Sequence, residues 1–168
     1  MAGRTSTGHH ELIVTLPSET EIGFERRFDA PREVVFAAFT EPEHLVHWWG
    51  PSRYSLPVCE ADLRPGGAYR MVVRGDDGHE VTFHGEIREI VRPGRVVQTI
   101  RVDVEPIADI EAVQSVDFEE VDGGTLLTAT MRFPSREARD GFMAGDGMEQ
   151  GAIETYERLD DYLATLAG

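Results

Sequence analysis

Residues 145–166, GDGMEQGAIETYERLDDYLATL, decide how the rest of the chain is read. Met148, Ala152, Tyr156, Leu159, Leu163 and Leu166 recur every three or four positions, the repeat of one helical face. Glu149, Gln150, Glu154, Glu157, Arg158, Asp160 and Asp161 fill the other side, and Glu154 is spaced to pair with Arg158 one turn on. Asp146 and Glu149 stand in capping-box order, which predicts the helix start. A helix this long with one oily stripe needs a broad apolar surface to lie against. The sequence before it reads as the construction of that surface.

Working back toward the N terminus, Ser135 is placed to cap a short helix through Met143. Residues 54–133 read as strand and turn. Pro65-Gly66-Gly67, Gly75-Asp76-Asp77-Gly78, Arg92-Pro93-Gly94 and Asp122-Gly123-Gly124 are the turn signals. Together with Glu105-Pro106 they separate runs at 54–63, 68–74, 80–91, 96–104, 112–121 and 125–133, and this regular spacing predicts an antiparallel meander. Alternation assigns inner faces to Tyr69, Met71 and Val73, to Val81, Phe83, Gly85 and Ile87, to Val116 and Phe118, and to Leu127, Ala129, Met131 and Phe133. In the 96–104 run the oilier face, with Val96, Ile100 and Val102, turns Gln98 inward.

Earlier still, Thr40-Glu41-Pro42-Glu43 has cap-box spacing ahead of HLVHWW at 44–49, and Gly50-Pro51 ends that helix. Asp29-Ala30-Pro31 predicts the start of a helix just before it. A short strand is expected within 12–16. A further extended run at 21–28 has Ile22, Phe24, Arg26 and Phe28 on one side. Residues 1–10 read as a flexible tail and residues 11–168 as one domain. The class is α+β, in the order strand, two helices, six strands, long helix: a curved antiparallel sheet wrapped around its C-terminal helix. Where the helix does not fill the interior, a cavity is expected.

Composition narrows the function classes. Sixteen basic residues, all Arg, stand against 31 acidic ones, for a net charge of −15. Phosphate-backbone binding needs clustered positive charge, so nucleic acid is not an expected partner, and neither is an anionic membrane. One cysteine, Cys59, rules out an internal disulfide. No apolar run reaches membrane-spanning length, so the cytoplasm is the expected compartment. The chain has no G-x-S-x-G, phosphate loop or H-E-x-x-H. No catalytic residue, metal ligand or cofactor is therefore assigned. His44 and His47, three apart beside Glu43, read as surface residues in preference to a metal pair, and Cys59 as a buried neutral thiol. Glu60, Asp62, Glu86 and Arg88 read as solvated strand faces.

Four separated stretches carry a family resemblance: RRFDAPREVVFAAFTEPEHLVHWWGP (26–51), DLRPGGAYRMVVRGDDG (62–78), DGGTLLTATMRFPSREARD (122–140) and GMEQGAIETYERLDDYL (147–163). In this order they resemble the START-like or SRPBCC superfamily, the helix-grip fold, and within it the bacterial relatives of the activator of the ninety-kilodalton heat-shock chaperone's ATPase. The resemblance implies a cavity between sheet and final helix. Many relatives place Trp at the position of Ala152; the smaller side chain leaves room there.

The expected function is the binding of a small apolar or aromatic molecule. Trp48 and Trp49 are expected to divide the work, one ring in the core and the other on the pocket. Met71, Phe83, Phe118, Met131, Met148 and Ala152 supply lining, and Tyr69, Gln98 and Tyr156 supply polar contacts. The resemblance also implies two alternatives, a chaperone-accessory role with a protein partner and a polyketide cyclase or aromatase activity. Association into a homodimer is left open.

Overall fold

The computed structural model describes residues 10–50, 53–144 and 148–167. The strands β1 (Ile13–Thr15) and β2 (Glu21–Phe28) lead into helices α1 (Arg32–Thr40) and α2 (Pro42–Leu45). Six strands follow: β3 (Ser55–Ala61), β4 (Ala68–Arg74), β5 (Glu80–Val91), β6 (Arg95–Val102), β7 (Ala112–Val121) and β8 (Gly124–Arg132). The chain then forms α3 (Arg136–Met143) and α4 (Met148–Ala167). The fold is α+β, an antiparallel curved sheet with a long C-terminal helix, as the repeat in 145–166 and the turn spacing require. β1 and α3 stand where a short strand within 12–16 and a short helix capped by Ser135 are expected.

The sheet order is β1-β2-β8-β7-β6-β5-β4-β3. β3 to β8 are a meander, and β2 pairs with the last of them, Phe24 opposite Ala129. β2 and β3 therefore lie toward opposite edges, and α1 with α2 carry the chain between them. One edge strand, β1, has three residues. The other, β3, contains Pro57 and a register shift between Ser55 and Val58. Asp122 and Gly123 join β7 to β8 in a two-residue turn, both at positive φ (51° and 80°). That is the primed hairpin geometry that Asp-Gly favours.

Two caps behave differently from one another. Ser135 Oγ accepts from the Ala138 amide at 3.0 Å and caps α3 as its spacing predicts. The capping box expected at Thr40 is not formed. Its hydroxyl donates back to the Phe36 carbonyl at 2.8 Å, and Glu41, the residue before α2, makes no side-chain cap bond. The residue before α1 is Pro31, which likewise supplies no side-chain cap. The cap expected from Asp146 lies outside the described residues.

The oily stripe of α4 ends earlier than its spacing suggests. Tyr156, Leu159 and Leu163 are buried, whereas Leu166 is 43% exposed. Asp160, assigned above to the solvent side, is turned in. Alternation along β2 puts Arg26 between Phe24 and Phe28 on the inner face, with its side chain 1% exposed. A buried guanidinium requires a carboxylate within reach, and Nη2 meets Asp160 Oδ2 at 3.2 Å. Nη1 donates to the Arg27 carbonyl at 2.6 Å, and the guanidinium carbon lies 4.8 Å from the centre of the Phe28 ring. Arg158, spaced to pair with Glu154, reaches the Gly50 carbonyl at 2.7 Å and ties α4 to the segment after α2.

Candidate functional site

The side chains of α4 change size along its length. Leu159 and Leu163 fill the sheet's concave side under the second half of the helix. Gly151, Ala152 and Thr155 occupy the first half and leave space beneath it. That space is a cavity of about 500 Å³ between α4 and the strands. Its floor carries Tyr69 and Met71 from β4, Phe83 from β5, Gln98 from β6 and Met131 from β8, with Gln114 of β7 beside Gln98. Ala152 and Tyr156 form its roof, and Trp48 and Trp49 form one wall.

Nine of the eleven expected lining residues thus meet in one place. Phe118 does not. It is 2% exposed and packs edge-on against Phe36 and Phe39 of α1, with ring centroids 5.2 and 5.6 Å away. Its inward-facing position is right, but α1 covers that end of β7 and leaves it solid. The Met148 side chain lies outside the described residues. Gln114, Thr155, Phe142 and Cys59 line the cavity without having been expected there. Gln114 was within reach of the pattern, since the alternation through Val116 and Phe118, carried back one step, turns it inward. Phe142 comes from α3, whose orientation no local repeat specifies.

The two tryptophans differ in role. Trp48 is 1% exposed and its indole N–H donates to the Ala38 carbonyl at 2.9 Å, which anchors the α2 turn on α1. Trp49 is half-buried and meets Phe83 edge-on, with ring centroids 4.8 Å apart. Both face the cavity on one side.

Close backbone approach shapes the floor. A Cβ on Gly85 would stand 2.0 Å from the Thr99 carbonyl oxygen, so β5 meets β6 there without a side chain between them. The same carbonyl accepts the Tyr69 hydroxyl at 2.6 Å, so that donor is already spent. Gln98 Nε2 donates to Gln114 Oε1 at 3.0 Å across the strand pair. The Tyr156 hydroxyl has no hydrogen-bond partner among the described residues.

Burial pushes the ionisation of Tyr69 and Tyr156 upward, so both phenols stay neutral. Burial, then the neighbouring Glu60 carboxylate, pushes the Cys59 thiol up to about 11. Outside the cavity, His44 Nδ1 and the Tyr162 hydroxyl are 2.6 Å apart, and the His47 ring stacks on Tyr162 at 5.1 Å. His44 fastens α2, and His47 the turn after it, to α4. Among the described residues no group of three or more His, Cys, Asp or Glu is arranged to hold a metal ion. No described helix is long and apolar enough to cross a membrane.

The fold recurs in solved bacterial proteins. A Rhodobacter sphaeroides protein is 28% identical, with a TM-score of 0.84 over 92% of this chain and 99% of that one. A Nitrosomonas europaea protein, at 24% identity, has a TM-score of 0.78 over 90% and 99%. The AHSA1 protein of Silicibacter pomeroyi, at 22%, has a TM-score of 0.70 over 86% and 98%. The latter two likenesses speak for the fold alone. No protein of known curated function matches the chain. Residues 29–164 match the sequence profile of the Activator of Hsp90 ATPase homolog 1-like proteins, and the chain belongs to that family.

Proposed function

We propose that the protein binds a small, largely apolar or aromatic molecule in the cavity between α4 and the sheet. The observation that carries this reading is the cavity itself: about 500 Å³ lined mainly by aromatic and aliphatic side chains from the sheet, the α2 turn and the helix. A preformed space of that size and lining suits a ligand of drug-like dimensions, oriented by a few polar groups. Catalysis has weaker support. A cyclase-like reaction would call for an acid and a base converging on the ligand. Glu60 is the carboxylate among the described lining residues, and it is solvent-exposed. Cys59 keeps its proton at neutral pH. The chaperone-accessory reading rests on kinship alone.

Two measurements test the proposal. Native mass spectrometry of protein purified from its own host should reveal a retained small molecule. Titration with prodan, an uncharged naphthalene dye, should give saturable 1:1 fluorescence enhancement. Failure of the dye to saturate up to its solubility limit, with no retained molecule, refutes it.

A further inference from the structure

The floor of the cavity offers more than an oily surface. Of its polar side chains on β4 to β8, Tyr69 has spent its donor on the Thr99 carbonyl. The others are Gln98 and Gln114, directly opposite each other in the β6–β7 register and bonded through one N–H···O contact at 3.0 Å. A primary amide has two donors and a carbonyl acceptor. With one bond between them, the Gln98 oxygen and the Gln114 NH₂ have no partner among the described residues. Turning both amides over reverses the bond and leaves the same result, one free carbonyl beside one free N–H donor. Among the described residues no Arg or His lines the cavity and its carboxylate, Glu60, is solvent-exposed, so an anionic ligand would lose its hydration with no counter-charge and a cationic one would find none that is buried.

We propose that this glutamine pair is a specificity-determining anchor for an uncharged ligand whose polar edge carries a hydrogen-bond donor next to an acceptor, as in a lactam, a carboxamide or a hydroxy-ketone. The apolar body of the ligand then lies against Met71, Phe83 and Trp49 while its edge completes the two glutamines. This rests on the reading of the cavity as a small-molecule site. It adds which chemistry the site selects, because buried polar groups left unpaired penalise any ligand lacking the matching edge.

Calorimetric titration with five probes tests it: 2-quinolone, N-methyl-2-quinolone, naphthalene, 1-methylnaphthalene and 2-naphthoate. N-methylation removes the lactam donor and keeps the acceptor, and the naphthalene pair reports the steric cost of the methyl group. Wild-type protein should bind 2-quinolone about three- to tenfold more tightly than its N-methyl derivative after that correction, the ordinary worth of one net hydrogen bond. The preference should fall to about one in Gln98→Leu/Gln114→Leu, with naphthalene binding retained. 2-Naphthoate should bind more weakly than naphthalene. A corrected wild-type ratio near one overturns the anchor whether or not the variant folds, and so does a ratio that survives in the variant. Naphthoate binding as tight as naphthalene overturns the requirement for an uncharged ligand. If none of the probes binds, the cavity reading falls and takes the anchor with it.

Discussion

Removing the Asp160 carboxylate should unmask the cost of burying Arg26. The guanidinium lies inside the fold, its side chain 1% exposed against 13% for Asp160. Breaking a buried pair from one side costs about 3–5 kcal/mol, because the remaining charge is stranded in a poorly solvating environment. Arg26 retains the Arg27 carbonyl and the face of Phe28, which places Asp160→Ala near the lower end, about 3 kcal/mol. With a urea dependence of roughly 2 kcal/mol per molar, the unfolding midpoint should drop by about 1.5 M. A domain of ordinary stability, about 5–15 kcal/mol, still folds after that loss. The double variant Arg26→Met/Asp160→Leu strands no charge and should return to within about 1 kcal/mol of wild type. Equilibrium urea unfolding followed by circular dichroism reads all three proteins. A shift below about 0.5 M for Asp160→Ala, or a double variant no better than the single, would refute the argument that burial of the cation sets the cost.

Other expectations follow from the cavity and its floor. Ala152→Trp should place an indole in open volume, so the protein stays folded while prodan binding weakens or vanishes; unfolding would mean packed core, and undiminished binding a pocket elsewhere. Gly85→Ala should cost at least about 2 kcal/mol in the same urea assay, because its methyl group meets backbone at 2.0 Å; an unchanged midpoint would contradict the close strand approach. Cys59 should alkylate slowly. Its thiol is raised from 9.0 to about 11, so at pH 8 the folded protein holds about 100-fold less thiolate than the unfolded chain. Labelling by iodoacetamide should rise about tenfold per pH unit up to that value, and a rate already flat at pH 8 would rule out the buried thiol.

How much of this was legible beforehand depends on the range of the interactions involved. The meander followed from local grammar, since each hairpin is written in its own Gly, Asp and Pro residues and each inner face in a two-residue repeat. Gln98 turned inward on that rule alone. The position of Asp160 was not legible. Its partner lies 134 residues earlier, and a helical wheel sorts side chains by polarity without knowing that a strand will present a buried Arg. Phe118 failed for the opposite reason. Its face was right, but an inner face runs the whole length of a strand, and which part is covered by α1 or left open under α4 is decided by tertiary packing. The unformed box at Thr40 shows a local preference losing to another, as the hydroxyl took the nearer carbonyl of its own helix. The cavity itself is an absence of atoms. Only the small residues Gly151 and Ala152 at the head of an otherwise Leu-bearing stripe hinted at where it would be.

The two ends of the sheet bear on how copies of this protein meet one another. An open sheet ends in strands with unpaired N–H and C=O groups, an invitation to edge-to-edge aggregation. Lysine, a common guard at such edges, does not occur in this chain. The guarding falls to shape: one border strand has three residues, and the other has its donor pattern broken by Pro57 and a register shift. Pro57→Thr would give that border an additional N–H and a straighter run. Its effect should appear as folded molecules sticking together, with light scattering rising at high concentration while the urea midpoint of dilute protein barely moves.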